Sequence, residues 1–353
     1  MKSIHYSKSY KDYDHIAGFK KSFMTDSERT DCSARSFSWK IDNNPHTEGA
    51  VFTAHCDNAL VGLAAVTPKT VMIKGQRVLA GEIGDTFTDK QYRRLGIFGS
   101  LVNMAKEECQ EKGIEFIYGT PNDNSLPGYE KKLNFPVIRN LKVDYIVCPI
   151  RSALVLAEKL PFLKSIANPL GFACDLLFRL LHSVKGRKRT GYVTRKIDYI
   201  PEELEHLFQR ISSDYDFILE RSAKYLRWRF IAGPDVHYIF VSEDRSGKIA
   251  GYCILALGTW KNISVGYLMD YLIEGRDQEV FRGLLLEAIH YCKKNAVGMI
   301  AAWNARGSWH SNVFRNLGFL HFRDVPVICY DGGWGKTVLE ENLKFYFTMS
   351  DAL

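Results

Sequence analysis

A run of seven residues, Arg93-Arg94-Leu95-Gly96-Ile97-Phe98-Gly99, has the make-up of an anion site. It follows a strand-like stretch, Glu82 to Thr88, and leads into an amphipathic stretch that begins at Ile97. A strand, a tight turn and a helix start gather unpaired backbone N–H groups and the positive end of a helix dipole at one point. Gly96 lets the backbone approach a phosphate closely, and Arg93 and Arg94 add charge. On the strand that leads in, Glu82 and Asp85 supply two carboxyls. They differ by three, so a regular strand turns them to opposite sides, and only one faces a cleft unless a bulge intervenes. One glycine and two arginines do not by themselves distinguish a phosphate site from an ordinary basic helix start.

The surrounding pattern supplies the elements that must hold this run. Ser3 to Tyr10 reads as a short strand and Tyr13 to Met24 as a helix. Ala50 to Ala54, Ala59 to Val66 and Thr70 to Ile73 read as strands, with a turn at Lys74-Gly75-Gln76. Ala80 to Thr88 is a strand running into a loop. Ile97 to Lys112 is a helix, because Ile97, Leu101, Ala105 and Cys109 recur every four residues and Gly113 stops it. Ile114 to Tyr118 is a buried strand, Asn124 to Leu133 a helix, and Phe135 to Val147 extended chain.

The chain also repeats itself. Ser33-Ala34-Arg35, Trp39-Lys40 and Pro45 recur as Ser222-Ala223-Lys224, Trp228-Arg229 and Pro234, at a constant offset of 189 positions. Gly62 and Gly251 keep that offset. Further on, Asn122 precedes Leu133-Asn134-Phe135, and Asn304 precedes Leu317-Gly318-Phe319. Two copies of one α/β unit follow, over 1–147 and 196–353. Residues 148–195 read as a helical connector; Pro161 and Pro169 break Ala153 to Val184 into short helices, and its recurring charges argue against deep membrane insertion.

Composition limits the function classes. The 353 residues are 46% apolar and 25% charged, enough to build cores in two domains. The net charge of +7 suits phosphorylated partners but lacks the clustered basic face of a nucleic-acid binder. The basic run Lys185 to Arg189 reads as a solvated linker. Eight cysteines form no C-x-x-C pair, so reduced, buried thiols and no metal are expected. The polar stretch Met1 to Lys11 does not resemble a signal peptide, and no run of about 20 apolar residues suggests a membrane span. A cytoplasmic location is the expectation. G-x-G-x-x-G, G-x-S-x-G, H-E-x-x-H and G-x-x-x-x-G-K-[ST] are absent.

Glu82 to Phe135 resembles the core of the GCN5-related N-acetyltransferase (GNAT) superfamily. The superfamily's diphosphate loop, [Q/R]-x-x-G-x-[G/A], is matched by Arg93 and Gly96. Phe98 stands in the last fixed position, where the pattern has a small residue, and Gly99 follows. The superfamily's Asn-x-x-[Ala/Ser]-x-x-x-Tyr is matched by Asn122, Ser125 and Tyr129, and its Gly-Phe appears one residue late as Asn134-Phe135. The resemblance implies tandem GNAT-like mixed-sheet units with an acyl-CoA site in the first. It implies Phe87, Thr88, Arg93, Arg94, Leu95, Gly96, Ile97, Phe98, Gly99, Asn122 and Ser125 as CoA contacts. It further implies a backbone N–H near Phe87 and Thr88 on the acyl carbonyl, Glu82 as a base with Asp85 competing, and Tyr129 as the acid for the leaving thiolate.

The second copy carries Ile273-Glu274-Gly275-Arg276-Asp277 in place of the loop, and acids stand where phosphate would sit. That copy is expected not to bind CoA. Acetyl transfer to a small-molecule amine, such as an amino sugar or polysaccharide precursor, is the activity the resemblance implies. Two alternatives stay open: aminoacyl transfer onto peptidoglycan precursors, which needs no CoA loop, and a non-catalytic CoA-binding scaffold.

Overall fold

The computed structural model describes residues 3–8, 10–23, 32–152 and 191–352. The expected connector helices, and the end of the first helix at Met24, lie outside the described residues. The chain is α/β, with two mixed sheets.

The first unit runs β1 (His5–Lys8), α1 (Tyr13–Lys21), α2 (Ala34–Ile41), β2 (Ala50–Cys56), β3 (Ala59–Ile73), β4 (Gln76–Thr88), α3 (Ile97–Glu111), β5 (Phe116–Gly119), α4 (Leu126–Lys132) and β6 (Val143–Pro149). The second runs β7 (Tyr192–Ile197), α5 (Glu203–Ser212), β8 (Phe217–Leu219), α6 (Ala223–Arg227), β9 (His237–Asp244), β10 (Ile249–Trp260), β11 (Ile263–Ile273), α7 (Gln278–Lys294), β12 (Met299–Ala305), α8 (His310–Asn316), β13 (Leu320–Val325), β14 (Ile328–Cys329) and α9 (Trp334–Glu340). α3 covers the first sheet with Ile97, Leu101, Val102, Ala105 and Cys109, all buried. It sits close because Gly62 lies beneath it: a Cβ there would come 2.5 Å from Ile97 Cγ2.

β3 is one strand of 15 residues, where the sequence suggested two separated near Pro68. The proline is tolerated because the ladder to β2 ends at Val66 and the pairing with β8 starts at Val71, so its missing donor faces a gap between partners.

The two halves exchange strands. The first sheet has the order β1-β2-β3-β4-β5-β14, with β8 on the far end of β3. The second has the order β13-β6-β12-β11-β10-β9-β7. β6 therefore lies between two strands of the second half, while β14 lies beside β5 of the first. The strand β6 runs across positions 147 and 148, where the sequence suggested a unit boundary.

Two buried clusters add to the exchanged strands in joining the halves. Trp39 and Trp228, one repeat apart, stack at 4.6 Å between ring centroids. Each indole donates to the other's backbone carbonyl, at 2.9 and 3.2 Å, so the pair sits on a local two-fold axis. Deeper in the seam, Arg221 holds the carboxylates of Asp270 and Asp351, and all three are at most 1% exposed. Tyr252 donates to Asp270 at 2.7 Å. The Asp351 carbonyl accepts from Lys69 at 2.9 Å and from Tyr118 at 2.7 Å, both of the first half.

Trp39→Ala and Trp228→Ala should each destabilise the protein by about 3–5 kcal/mol. Because the rings touch, the double variant should lose clearly less than the sum. Denaturant unfolding of the four proteins measures this; additive losses would show that the two indoles do not act as one contact.

Candidate active site

β4 and β5 run parallel over only three pairs, from Ala80 with Phe116 to Glu82 with Tyr118. β4 then continues to Thr88, whereas β5 ends at Gly119. The strands part, and the edge of β4 that faces β5 has no strand partner beyond Glu82 among the described residues. The gap forms a cleft of about 150 Å³ lined by Glu82, Asp85, Thr86, Phe87, Ser125 and Tyr129, among others.

A bulge shapes this wall. Gly84 pairs with Ala65 and Phe87 with Leu63, so Asp85 and Thr86 together face one residue of β3. Asp85 takes a left-handed backbone, φ 48°. The extra residue breaks the strand's alternation, and both Glu82 and Asp85 line the cleft.

Their surroundings differ. Glu82 is 4% exposed and pairs with Lys69 at 2.8 Å, and Lys69 is itself buried against the Ser350 and Asp351 carbonyls. Asp85 is clamped between two buried ammonium groups, Lys20 at 2.6 Å and Lys40. Burial alone would raise the Asp85 pKa, but the two lysines outweigh it and hold the carboxyl well below its ordinary range. A carboxylate so held is a poor proton acceptor. Tyr129 is 2% exposed; burial raises its phenol above the ordinary range, and its hydroxyl shares a 3.0 Å hydrogen bond with Thr86. It therefore carries its proton at neutral pH.

The loop after β4 passes through Arg94 at φ 68° and Gly96 at φ 83°. A side chain at Gly96 would be strained by that backbone, although a Cβ there would touch nothing within 4 Å. The space before the turn is thus open. α3 starts without a side-chain cap. The first intrahelical bond at this end runs from Ser100 N–H to the Gly96 carbonyl, which leaves the Ile97, Phe98 and Gly99 N–H groups ahead of it. Arg93, Arg94 and Leu95 are exposed around them. Phe98 packs edge-to-face on Tyr129 at 5.0 Å and against Gly128, where a Cβ would come 2.8 Å from the ring. Its bulk is taken up by α4 in this way.

The Asn122 side chain accepts from the Asn124 and Ser125 N–H groups, each at 3.1 Å, and so turns the chain into α4. After α4, Asn134 adopts φ 59°, and Gly318 adopts φ 84° at the matching point of the second unit. Asparagine tolerates the left-handed region, and Phe135 remains fully buried behind it.

Residues 11–135 match the acetyltransferase (GNAT) domain family. Several solved structures share the fold of nearly the whole chain. Saccharomyces cerevisiae N-myristoyltransferase with bound myristoyl-CoA is 14% identical, with a TM-score of 0.67 over 94% of this chain and 83% of that one. A GCN5-related N-acetyltransferase from Anabaena variabilis is 11% identical, with a TM-score of 0.61 over 93% and 72%. A tandem GNAT protein from the clavulanic acid biosynthesis pathway is 11% identical, with a TM-score of 0.61 over 93% and 98%. Residues 11–135 carry a GNAT domain, and the whole chain shares the fold of a tandem GNAT protein. No curated protein sequence matches it.

The second unit lacks the open helix start of the first. Asp277 caps α7, its carboxylate accepting from the Glu279 and Val280 N–H groups at 2.8 and 3.1 Å. The groups a phosphate would need are already bonded to a carboxylate. Glu274, just ahead of it, is paired with Arg210 and Lys248. Among the described residues, one trio has metal-like spacing, Asp144, His321 and Asp324, but Arg306 pairs with both of its aspartates. No helix among the described residues is long and apolar enough to cross a membrane.

Sequence reasoning missed Lys20, Lys40 and Lys69, which hold the two acids. Lys69 had a visible signal: a lone charge inside an otherwise uncharged strand run. Lys20 and Lys40 gave none, because a lysine on an amphipathic helix normally faces water.

Asp85→Asn should lower stability by about 3–5 kcal/mol, because it leaves Lys20 and Lys40 buried without their carboxylate. A depressed folded pKa stabilises above the ordinary aspartate value and is lost as pH falls through the folded one. The gap between the wild type and Asp85→Asn should therefore be flat at neutral pH and shrink below pH ~4. Thermal unfolding across pH measures it; a gap that widens in acid would contradict the clamp.

Proposed function

We propose that the protein is an N-acyltransferase that takes acetyl-CoA as donor and the amine of a small molecule as acceptor. The observation that carries this reading is the uncapped start of α3, whose Phe98 packs on Tyr129 in the wall of the cleft between β4 and β5. A CoA diphosphate needs unpaired N–H groups, room for close approach and nearby cations. Ile97, Phe98 and Gly99 supply the first, Gly96 the second, and Arg93 and Arg94 the third. The acyl end then lies along the free edge of β4. There the N–H groups near Phe87 and Thr88 are candidates to polarise the thioester carbonyl. A cleft of about 150 Å³ suits a short acyl group. An amino sugar or polysaccharide precursor is the acceptor class that the superfamily resemblance suggests.

Glu82 takes the role of base, directly or through water, since Asp85 is held ionised by two lysines. As the C–N bond forms and the C–S bond breaks, the amine's proton passes to Glu82, and Tyr129 gives its proton to the leaving sulfur. Lys69 fixes the Glu82 carboxylate at the cleft floor. Asn122 and Ser125 act by shaping the start of α4, which carries Tyr129. The loop favours this reading over aminoacyl transfer from an RNA donor. The paired presence of Glu82 and Tyr129 in the cleft favours it over a CoA-binding scaffold.

Calorimetry should give one acetyl-CoA site per chain, weakened by Arg94→Gln and untouched by Arg276→Gln, while Gly96→Val should raise the KM for acetyl-CoA strongly in a folded protein. Two equivalent sites would overturn the assignment to the first unit. Glu82→Gln should lower kcat on the order of 10²- to 10⁴-fold with little change in acetyl-CoA affinity. Tyr129→Phe should also lower kcat. If both variants turn over near the wild-type rate, the acceptor arrives as a neutral amine and the site acts by positioning alone.

A further inference from the structure

A second and larger cavity, about 840 Å³, opens between the two units. Its volume is that of a small-molecule site. Thr120 lines both this cavity and the cleft at β4, so the two adjoin. Trp39, Tyr145, Tyr238, Tyr267 and Trp303 give it aromatic walls. Lys20, Lys40 and Arg229 also line it, and Asp235 stands exposed at its rim.

Arg229 is the anomaly. It is 5% exposed, yet no carboxylate or hydrogen-bond acceptor meets its guanidinium among the described residues; its Nε is buried and unsatisfied. Its contacts are ring faces, Trp39 at 5.5 Å and Phe230 at 5.4 Å. His237, also on the cavity wall, is kept neutral by burial and by Arg229, so it adds no second positive charge. A buried, unpaired cation is costly, and native structures rarely keep one without a purpose. A π-helical turn, Trp228–Ala232, carries it there.

The repeat supplies an internal control. Arg229 stands 189 positions after Lys40 and follows Trp228 as Lys40 follows Trp39. In the first unit the basic residue meets a carboxylate, Asp85, from the bulge of the neighbouring strand. The matching strand of the second unit, β11, also bulges, with Leu268 and Asp270 pairing to adjacent residues of β10. The extra residue there is Met269, which lines the cavity. The acid next to it on the strand, Asp270, is already engaged by Arg221 and Tyr252. The second unit thus keeps the cation and lacks its anion.

We propose that the inter-unit cavity is the acceptor site and that Arg229 binds an anionic head group of the acceptor, a carboxylate or phosphate ester, which takes the place that Asp85 fills in the first unit. This rests on the reading of the first unit as the acyl-CoA site, since it is the junction at Thr120 that brings the acceptor amine to the thioester. The acceptor class is then an anionic amine with a ring-sized body that stacks on the aromatic walls. A planar guanidinium suits either oxyanion by two parallel hydrogen bonds.

The test is calorimetry with matched amines, glucosamine 6-phosphate against glucosamine and phenylalanine against phenylalaninamide, with and without free CoA. In the wild type the anionic member of at least one pair should bind about ten-fold tighter or more. Which pair responds tells phosphate from carboxylate. Arg229→Gln should bring that preference to near parity, Arg229→Lys should restore part of it, and CoA binding should not change in either. Arg229→Met should unfold at the same or a higher temperature without ligand, since it removes an unpaired buried charge. No charge preference in either pair, or a preference that survives Arg229→Gln, overturns the proposal. So does a lower unfolding temperature with the preference intact, which assigns Arg229 to packing. Failure of CoA to bind the wild type would sink the donor reading instead, and the amine titrations without CoA would still report on Arg229.

Discussion

Asp351 ties the molecule together. Its carboxylate accepts from Arg221, which also holds Asp270, and its carbonyl accepts from Lys69 and Tyr118. Lys69 in turn fixes Glu82 at the floor of the cleft. One buried residue near the C-terminus thus links the central strand of the second sheet to the acid of the first. Buried ions are expensive unless every one is matched, so this seam tolerates little rearrangement. The position of Glu82 follows from a network that spans both halves.

The two copies have diverged in what they leave unsatisfied. In the first, the helix start is bare and the basic residue after the tryptophan is neutralised. In the second, Asp277 closes the helix start and Arg229 goes unpaired. Each copy has given up the feature that the other presents. The tryptophan pair holds the two in near two-fold register, and the cleft beside β4 meets the cavity lined by Arg229 at Thr120.

Much of this was legible in the sequence. The offset of 189 positions appears in space as Trp39 stacked on Trp228. The period of four in Ile97, Leu101, Ala105 and Cys109 is the buried face of α3. Glu82, Asp85 and Tyr129 come together around one cleft, and Phe98 of the loop packs on Tyr129. The bulge at Asp85 was not legible, because it depends on how β3 pairs and no local residue pattern requires it. The lysine clamps were hidden for a related reason: a buried ion pair is a meeting of distant segments, and Lys20 gives no sign of where Asp85 will be. The break expected near Pro68 failed because the proline falls where the edge of β3 passes from β2 to residues 217–219, and no ladder bond there needs its missing N–H.

The strand exchange also sets an order of events during synthesis. β5 waits for its neighbour β14, which emerges roughly 210 residues later, on the order of ten to forty seconds at ribosomal rates. For that time the half-made first sheet shows an open edge to the cell. β6 meanwhile has no sheet to join until β12 is made. A nascent chain of this design depends on partners it does not yet have, and is the form most exposed to mispairing with a second copy. Duplication gave the protein two similar sheets, and the crossing of their strands made neither half a free-standing piece.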